Sequence, residues 1–159
     1  MVQQPVIRTG DQARKFSLKD QNDATFDLLE QSGKKVLLSF HPLAWTPVCA
    51  AQMKSLEESR ETLASLGTVA VGLSVDSVPC KKAWADNLGI AKTPLLCDFW
   101  PHGHVAMTYG IFREANGFSE RANIIIDENR RVAFVKIYPL HNLPDMKEII
   151  AFLQKPATV

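Results

Sequence analysis

The stretch VLLSFHPLAWTPVCAAQMKSL, Val36 to Leu56, decides the fold. Its first part belongs to a short apolar run, Lys35 to Phe40, bounded by Gly33 and Pro42. A run of that length and composition reads as a central strand buried on both faces. After His41-Pro42 the pattern changes to a helical one. From Pro47 to Leu66, Met53, Leu56, Leu63 and Leu66 share one face, with Glu57, Glu58, Arg60 and Glu61 largely elsewhere. Thr46 suits the N-cap, Pro47 the first helical position and Gly67 the stop. The spacing therefore predicts a strand, a short loop and a helix with Cys49 in its first turn.

The flanking sequence extends the pattern. Phe16 to Leu28 reads as a short hairpin with Asp20-Gln-Asn-Asp23 at the turn. Thr68 to Asp76 is a second buried strand, Pro79 to Gly89 a short helix, and Thr93 to Asp98 a third strand. His104 to Gly110 gives one or two helical turns. Ala122 to Asp127 and Val132 to Tyr138 flank Glu128-Asn-Arg-Arg131 as a hairpin. Leu143 to Lys155 ends as a helix with Met146, Ile149, Ile150 and Leu153 on one face. Strands alternating with helices, then a hairpin and a last helix, point to an α/β fold with a mixed sheet.

The 159 residues suit one compact domain spanning 1–159. With 18 basic and 17 acidic residues, the net charge of +1 gives no electrostatic case for nucleic acid or an anionic membrane. No apolar run approaches the ~20 residues of a membrane span, and the first 16 residues do not read as a secretory signal. The expected compartment is the cytoplasm. Three cysteines, Cys49, Cys80 and Cys97, form no CxxC pair and no zinc-spaced Cys/His cluster. His102 and His104 alone are a weak metal pattern.

Most free cysteines are small buried hydrophobes. A cysteine in the first turn of a helix differs, because unpaired N–H groups and the helix dipole favour thiolate. Ionisation alone raises the reactive fraction only about 30-fold at pH 7, so a fast thiol also needs fixed donors aimed at developing charge. Thr46 supplies a hydroxyl, and Pro42 and Pro47 stiffen the loop.

Pro42, Thr46 and Cys49 have the form Pro-x-x-x-Thr-x-x-Cys, which resembles the active-site motif of the peroxiredoxins. Ser74 to Ser77, Lys81 to Trp84, Pro94 to Phe112 and Glu120 to Val132 resemble peroxiredoxin segments in the same order, closest to the one-cysteine alkyl hydroperoxide reductase E type. The resemblance implies a thioredoxin-like fold, a mixed central sheet flanked by helices on both faces. It also implies a thiol-dependent peroxidase for hydrogen peroxide and small organic hydroperoxides, needing no metal, flavin or haem. Cys49 is then the peroxidatic nucleophile, Pro42 its shield, Thr46 a hydrogen-bonding partner for the peroxide oxygens, and Arg121 the partner of thiolate and peroxide. Two positions depart from the pattern. Gln52 replaces a common glutamate, and Trp45 a common phenylalanine.

Phe40 and Trp45 offer a small apolar rim able to admit alkyl groups. Trp45 reads either as a packed loop aromatic or as part of the substrate mouth, and His41 either as a loop residue packing near the site or as a hydrogen bond in the pocket. Cys80, at a helix start, reads either as a resolving cysteine or as a packing residue, and Cys97 as inert in a buried strand. The oxidised thiol is then reduced by Cys80 or by an external thioredoxin-like or low-molecular-weight thiol. A homodimer is implied by the family. The alternative reading is a redox sensor, relay or holdase on the same fold.

Overall fold

The structure is a computed structural model that describes residues 2–156. A small hairpin, β1 (Ser17–Lys19) and β2 (Thr25–Asp27), precedes the main sheet. The chain then runs through β3 (Lys35–Phe40), α1 (Pro47–Glu58), α2 (Arg60–Ser65), β4 (Thr68–Ser74), α3 (Val78–Leu88), β5 (Leu95–Cys97) and α4 (His104–Thr108). A second small hairpin, β6 (Phe112–Arg113) and β7 (Phe118–Ser119), leads into β8 (Arg121–Ile126), β9 (Val132–Tyr138) and α5 (Met146–Gln154). The central sheet has the order β5-β4-β3-β8-β9, with β5, β4 and β3 parallel and β8 antiparallel to both neighbours.

Period-two alternation divides the core. Val36, Leu38 and Phe40 of β3 face one side, with Val71 and Leu73 of β4, Ile124 and Ile126 of β8, and Val105 and Ala106 of α4. Leu37 and Ile125 face the other side, against Cys49, Met53 and Leu56 of α1, Leu63 of α2, Trp84 of α3 and Ile149 of α5. Helices thus cover both faces. Helix α1 lies close on the sheet because Gly72 has no side chain: a Cβ there would stand 2.2 Å from the Met53 sulfur.

The helix expected from Pro47 to Leu66 is two helices, interrupted at Ser59, a residue whose side chain competes for backbone hydrogen bonds. Thr46 is the N-cap residue, but its hydroxyl donates to the Leu43 carbonyl at 2.7 Å rather than capping the helix. Helix α3 is capped as its sequence suggests. Ser77 accepts from the Cys80 N–H, and Gly89 closes the helix in the left-handed region at φ 72°. The β6–β7 hairpin has strands of two residues each, too short to leave a period.

The end of α1 is tied to the loop before β5. The Glu57 carboxylate accepts from the N–H groups of Ala91, Lys92 and Thr93 and from the Thr93 hydroxyl. Burial pushes its pKa up, but these donors outweigh burial and hold it below the ordinary value. Its contribution to stability is therefore present above the unfolded pKa, about 4.5, and is lost as pH falls through the lower folded value. Glu57→Ala is expected to cost about 1–2 kcal/mol, read by urea unfolding at pH 7. The difference from wild type should shrink as the solution is acidified below pH 4.5.

Candidate active site

Three elements meet at Cys49. Strand β3 turns Ser39 toward α1, and β8 turns Arg121 and Asn123 the same way, with Ser39 opposite Asn123 in register. Helix α1 presents Cys49 in its first turn and Gln52 one turn on. Cys49 is wholly buried, and Arg121 is 3% exposed. The guanidinium Nη1 donates to Cys49 Sγ at 3.3 Å and to Gln52 Oε1 at 2.7 Å. Nε and Nη2 both donate to the Leu140 carbonyl, at 2.9 and 2.6 Å. The fork is therefore fixed from two sides, with a donor aimed at the sulfur. A group held this way meets negative charge without reorganising.

Gln52 extends the support inward. Its Nε2 donates to Ser39 Oγ at 2.8 Å and to the Phe40 carbonyl at 3.1 Å. That carbonyl can only accept, so the amide oxygen must face Arg121. Ser39 donates to Asn123 Oδ1 at 2.7 Å. The chain continues through Tyr138, whose hydroxyl donates to Glu148 at 2.9 Å. Glutamine at position 52 thus keeps the hydrogen bond to Arg121 without a negative charge. Gln52→Leu is expected to lose about 2–3 kcal/mol of stability, because Ser39 and the Phe40 carbonyl lose their donor. It should also slow peroxide reaction about tenfold through a looser guanidinium, measured by chemical denaturation and stopped-flow oxidation.

A pocket of about 320 Å³ adjoins the sulfur. Pro42, Thr46, Cys49 and Arg121 all line it, with Val48, Phe118 and Leu140 supplying apolar wall. Pro42 is buried beside the thiol, and the Thr46 oxygen keeps lone pairs free after donating to Leu43. The expected rim is different. Phe40 faces the opposite core and packs on Tyr109 at 6.1 Å. His41 is buried against Trp84 and Lys81. Trp45 takes a left-handed backbone, φ 67°, and is 53% exposed. None of the three lines the pocket. Phe118 and Leu140 take the rim position instead, from the short β7 strand and from the segment after β9. A larger hollow of about 400 Å³ lies between Gln21-Asn22 and α3, with no cysteine on its wall.

Comparison with known proteins gives the family and the fold. The profile of the AhpC/TSA family matches residues 9–135. The chain belongs to the AhpC/TSA family. It is 35% identical over 133 residues to alkyl hydroperoxide reductase E of Mycobacterium tuberculosis, covering 83% of this chain and 86% of that one. It is 32% identical over 155 residues to a peroxiredoxin of Thermoplasma volcanium, covering 94% of this chain and 74% of the relative. The reduced 2-Cys peroxiredoxin of Plasmodium vivax superposes with a TM-score of 0.84 at 24% identity, over 92% of this chain and 80% of that chain. The thioredoxin-like fold expected from the sequence is the one observed.

The other two thiols of this AhpC/TSA protein sit in different surroundings. Cys80 Sγ faces Asp76 Oδ1 at 3.7 Å. Burial and then the Asp76 carboxylate raise its pKa, against a hydrogen bond from the Trp45 side chain. Its place at a helix start does not make it an acidic thiol. Cys97 is buried in β5, and burial pushes it up to about 11. His102 bonds the Gly117 carbonyl at 2.6 Å. Among the described residues no three His, Cys, Asp or Glu side chains gather as a metal site, and no helix is long and apolar enough to cross a membrane.

Proposed function

We propose that this AhpC/TSA protein is a thiol peroxidase whose nucleophile is Cys49. The single observation that carries the reading is the Arg121 donor at 3.3 Å from a sulfur that borders the pocket. The substrates are hydrogen peroxide and small organic hydroperoxides. The Cys49 thiolate attacks one peroxide oxygen along the O–O bond. An S–O bond forms, the O–O bond breaks, and the leaving hydroxide or alkoxide takes up a proton as water or alcohol. Cys49 is left as sulfenic acid, oxidised by two electrons. Arg121 faces the charge on sulfur and on the leaving oxygen, Thr46 accepts the peroxide hydrogen, and Pro42 keeps bulk water off the thiol.

Reduction of the sulfenic acid is by an external thiol, thioredoxin-like or of low molecular weight, entering through the same pocket. The surroundings of Cys80 favour this route, since a thiol held protonated beside a carboxylate is a poor attacker. The protein acts as a single-domain homodimer in the cytoplasm, a compartment that suits three unpaired cysteines.

Intact-mass analysis after one equivalent of hydrogen peroxide, with thiol mapping, tests the chemistry. A gain of one oxygen on Cys49, stable until a small thiol is added, is expected. Loss of two hydrogens with Cys49 and Cys80 both blocked would replace the external thiol by Cys80. Oxygen found on Cys80 or Cys97 while Cys49 stays free would overturn the assignment.

A further inference from the structure

Lys81, in the first turns of α3, is wholly buried. A buried lysine is rare without a carboxylate partner, yet among the described residues no carboxylate stands within 4 Å of its Nζ. Instead Nζ lies 2.8 Å from His41 Nε2. Burial, then the charges of Lys81 and Arg121, push His41 well below its ordinary pKa, so the ring is neutral and Nε2 accepts from the ammonium. The ring also packs on Trp84, centroids 5.1 Å apart.

His41 directly precedes Pro42, the first residue of the pocket wall. Its own N–H donates to the Leu73 carbonyl at 2.9 Å. Three residues on, the Ala44 N–H donates to Asp76 Oδ2 at 2.8 Å. The loop carrying Pro42 and Thr46 is thus held at two points from the α3 side, by Asp76 and by Lys81. Four groups act on the Lys81 charge from the surrounding elements: Asp76 before α3, Cys97 on β5, Cys49 on α1 and Cys80 on α3. Cys49 is thus one of the groups whose negative charge the buried ammonium faces.

We propose that Lys81 is a positioning residue for the reaction at Cys49: its buried ammonium clamps His41, fixes the Pro42–Thr46 loop, and adds a second positive charge behind the attacking sulfur. This rests on the reading of Cys49 as the nucleophile. Burial holds the amine at about 8, so the clamp is charged at neutral pH and discharges in mildly alkaline solution.

The test is single-turnover oxidation of the reduced protein by hydrogen peroxide, followed by stopped flow between pH 6.5 and 9.5. Wild type is expected to slow as pH rises through about 8. Lys81→Met is expected to react about tenfold more slowly at pH 7, with no decline near pH 8. If that variant fails to fold, His41→Phe/Lys81→Met replaces both buried partners by apolar groups, and the same two readings apply. A wild-type profile without the decline, a variant that keeps it, or a variant within twofold of wild type at pH 7 overturns the proposal. Wild type no faster than Cys49→Ser would instead remove the Cys49 reading, and this inference with it.

Discussion

Arg121→Met slows the reaction with hydrogen peroxide by about 10²–10³-fold. The magnitude is that of removing one preorganised donor from developing negative charge. Arg121 Nη1 is the group that donates to the Cys49 sulfur, and the same nitrogen bonds Gln52. Methionine keeps much of the side chain's length and apolar stem, so the pocket stays filled while the donors go. The buried Leu140 carbonyl and Gln52 Oε1 lose their partners, which costs about 2–3 kcal/mol of stability. Arg121→Lys should recover only part of the rate, because an ammonium cannot reach sulfur, Gln52 and Leu140 together as the planar fork does. Stopped-flow oxidation and urea unfolding on the same preparations separate the two effects. A variant within threefold of wild type in rate would show that the guanidinium holds the structure and not the reaction.

Cys49→Ser is expected to reduce peroxide consumption to the background of an unactivated protein, a loss of about 10⁴-fold or more, as for removal of a covalent nucleophile elsewhere. The fold should survive, because the serine oxygen occupies the same buried place and accepts from Arg121. Peroxide consumption and circular dichroism check the two halves of this statement. Residual activity above a hundredth of wild type would move the chemistry to Cys80 or Cys97. Both are poor candidates. Cys80 is raised by burial and Asp76, and Cys97 lies at about 11.

Much of this site could be read from the chain because it is local. Pro42, Thr46 and Cys49 lie within one strand–loop–helix unit, and the helix start at Pro47 is written in proline and threonine. Arg121 was different: 72 residues separate it from Cys49, and only the resemblance to a family brought it forward. The same strand alternation that places Arg121 and Asn123 on the α1 side also places Ser39 there. It must then turn Phe40 to the opposite core, so the rim role given to Phe40 conflicted with a signal already present. The pocket roles considered for Trp45 and His41 fail for another reason, while the packing reading of His41 agrees with its place against Trp84. A loop has no period, so which residue points in and which points out depends on tertiary partners such as Trp84 and Lys81. Phe118 and Leu140 escaped notice because one sits on a two-residue strand and the other follows β9 in irregular chain.

Lys81 shows how a strongly charged residue can be misplaced by pattern. It adjoins Lys82, which pairs with Asp86 at the surface, and a Lys-Lys pair near a helix start reads as solvated charge. In the fold one turns inward beneath the reactive loop and the other outward.

The central claim, that the structure activates one thiol toward peroxide, is tested most directly by comparing two rates. The reduced wild-type protein and an unperturbed thiol, N-acetylcysteine, react with hydrogen peroxide in separate solutions at about pH 7, and the oxidised sulfur of the protein is identified by mass. The expected result is oxidation of Cys49 at least about a hundredfold faster than the small thiol, the effect of a fixed donor aimed at developing charge. Equal rates, or oxidation found on Cys80 or Cys97, would contradict it.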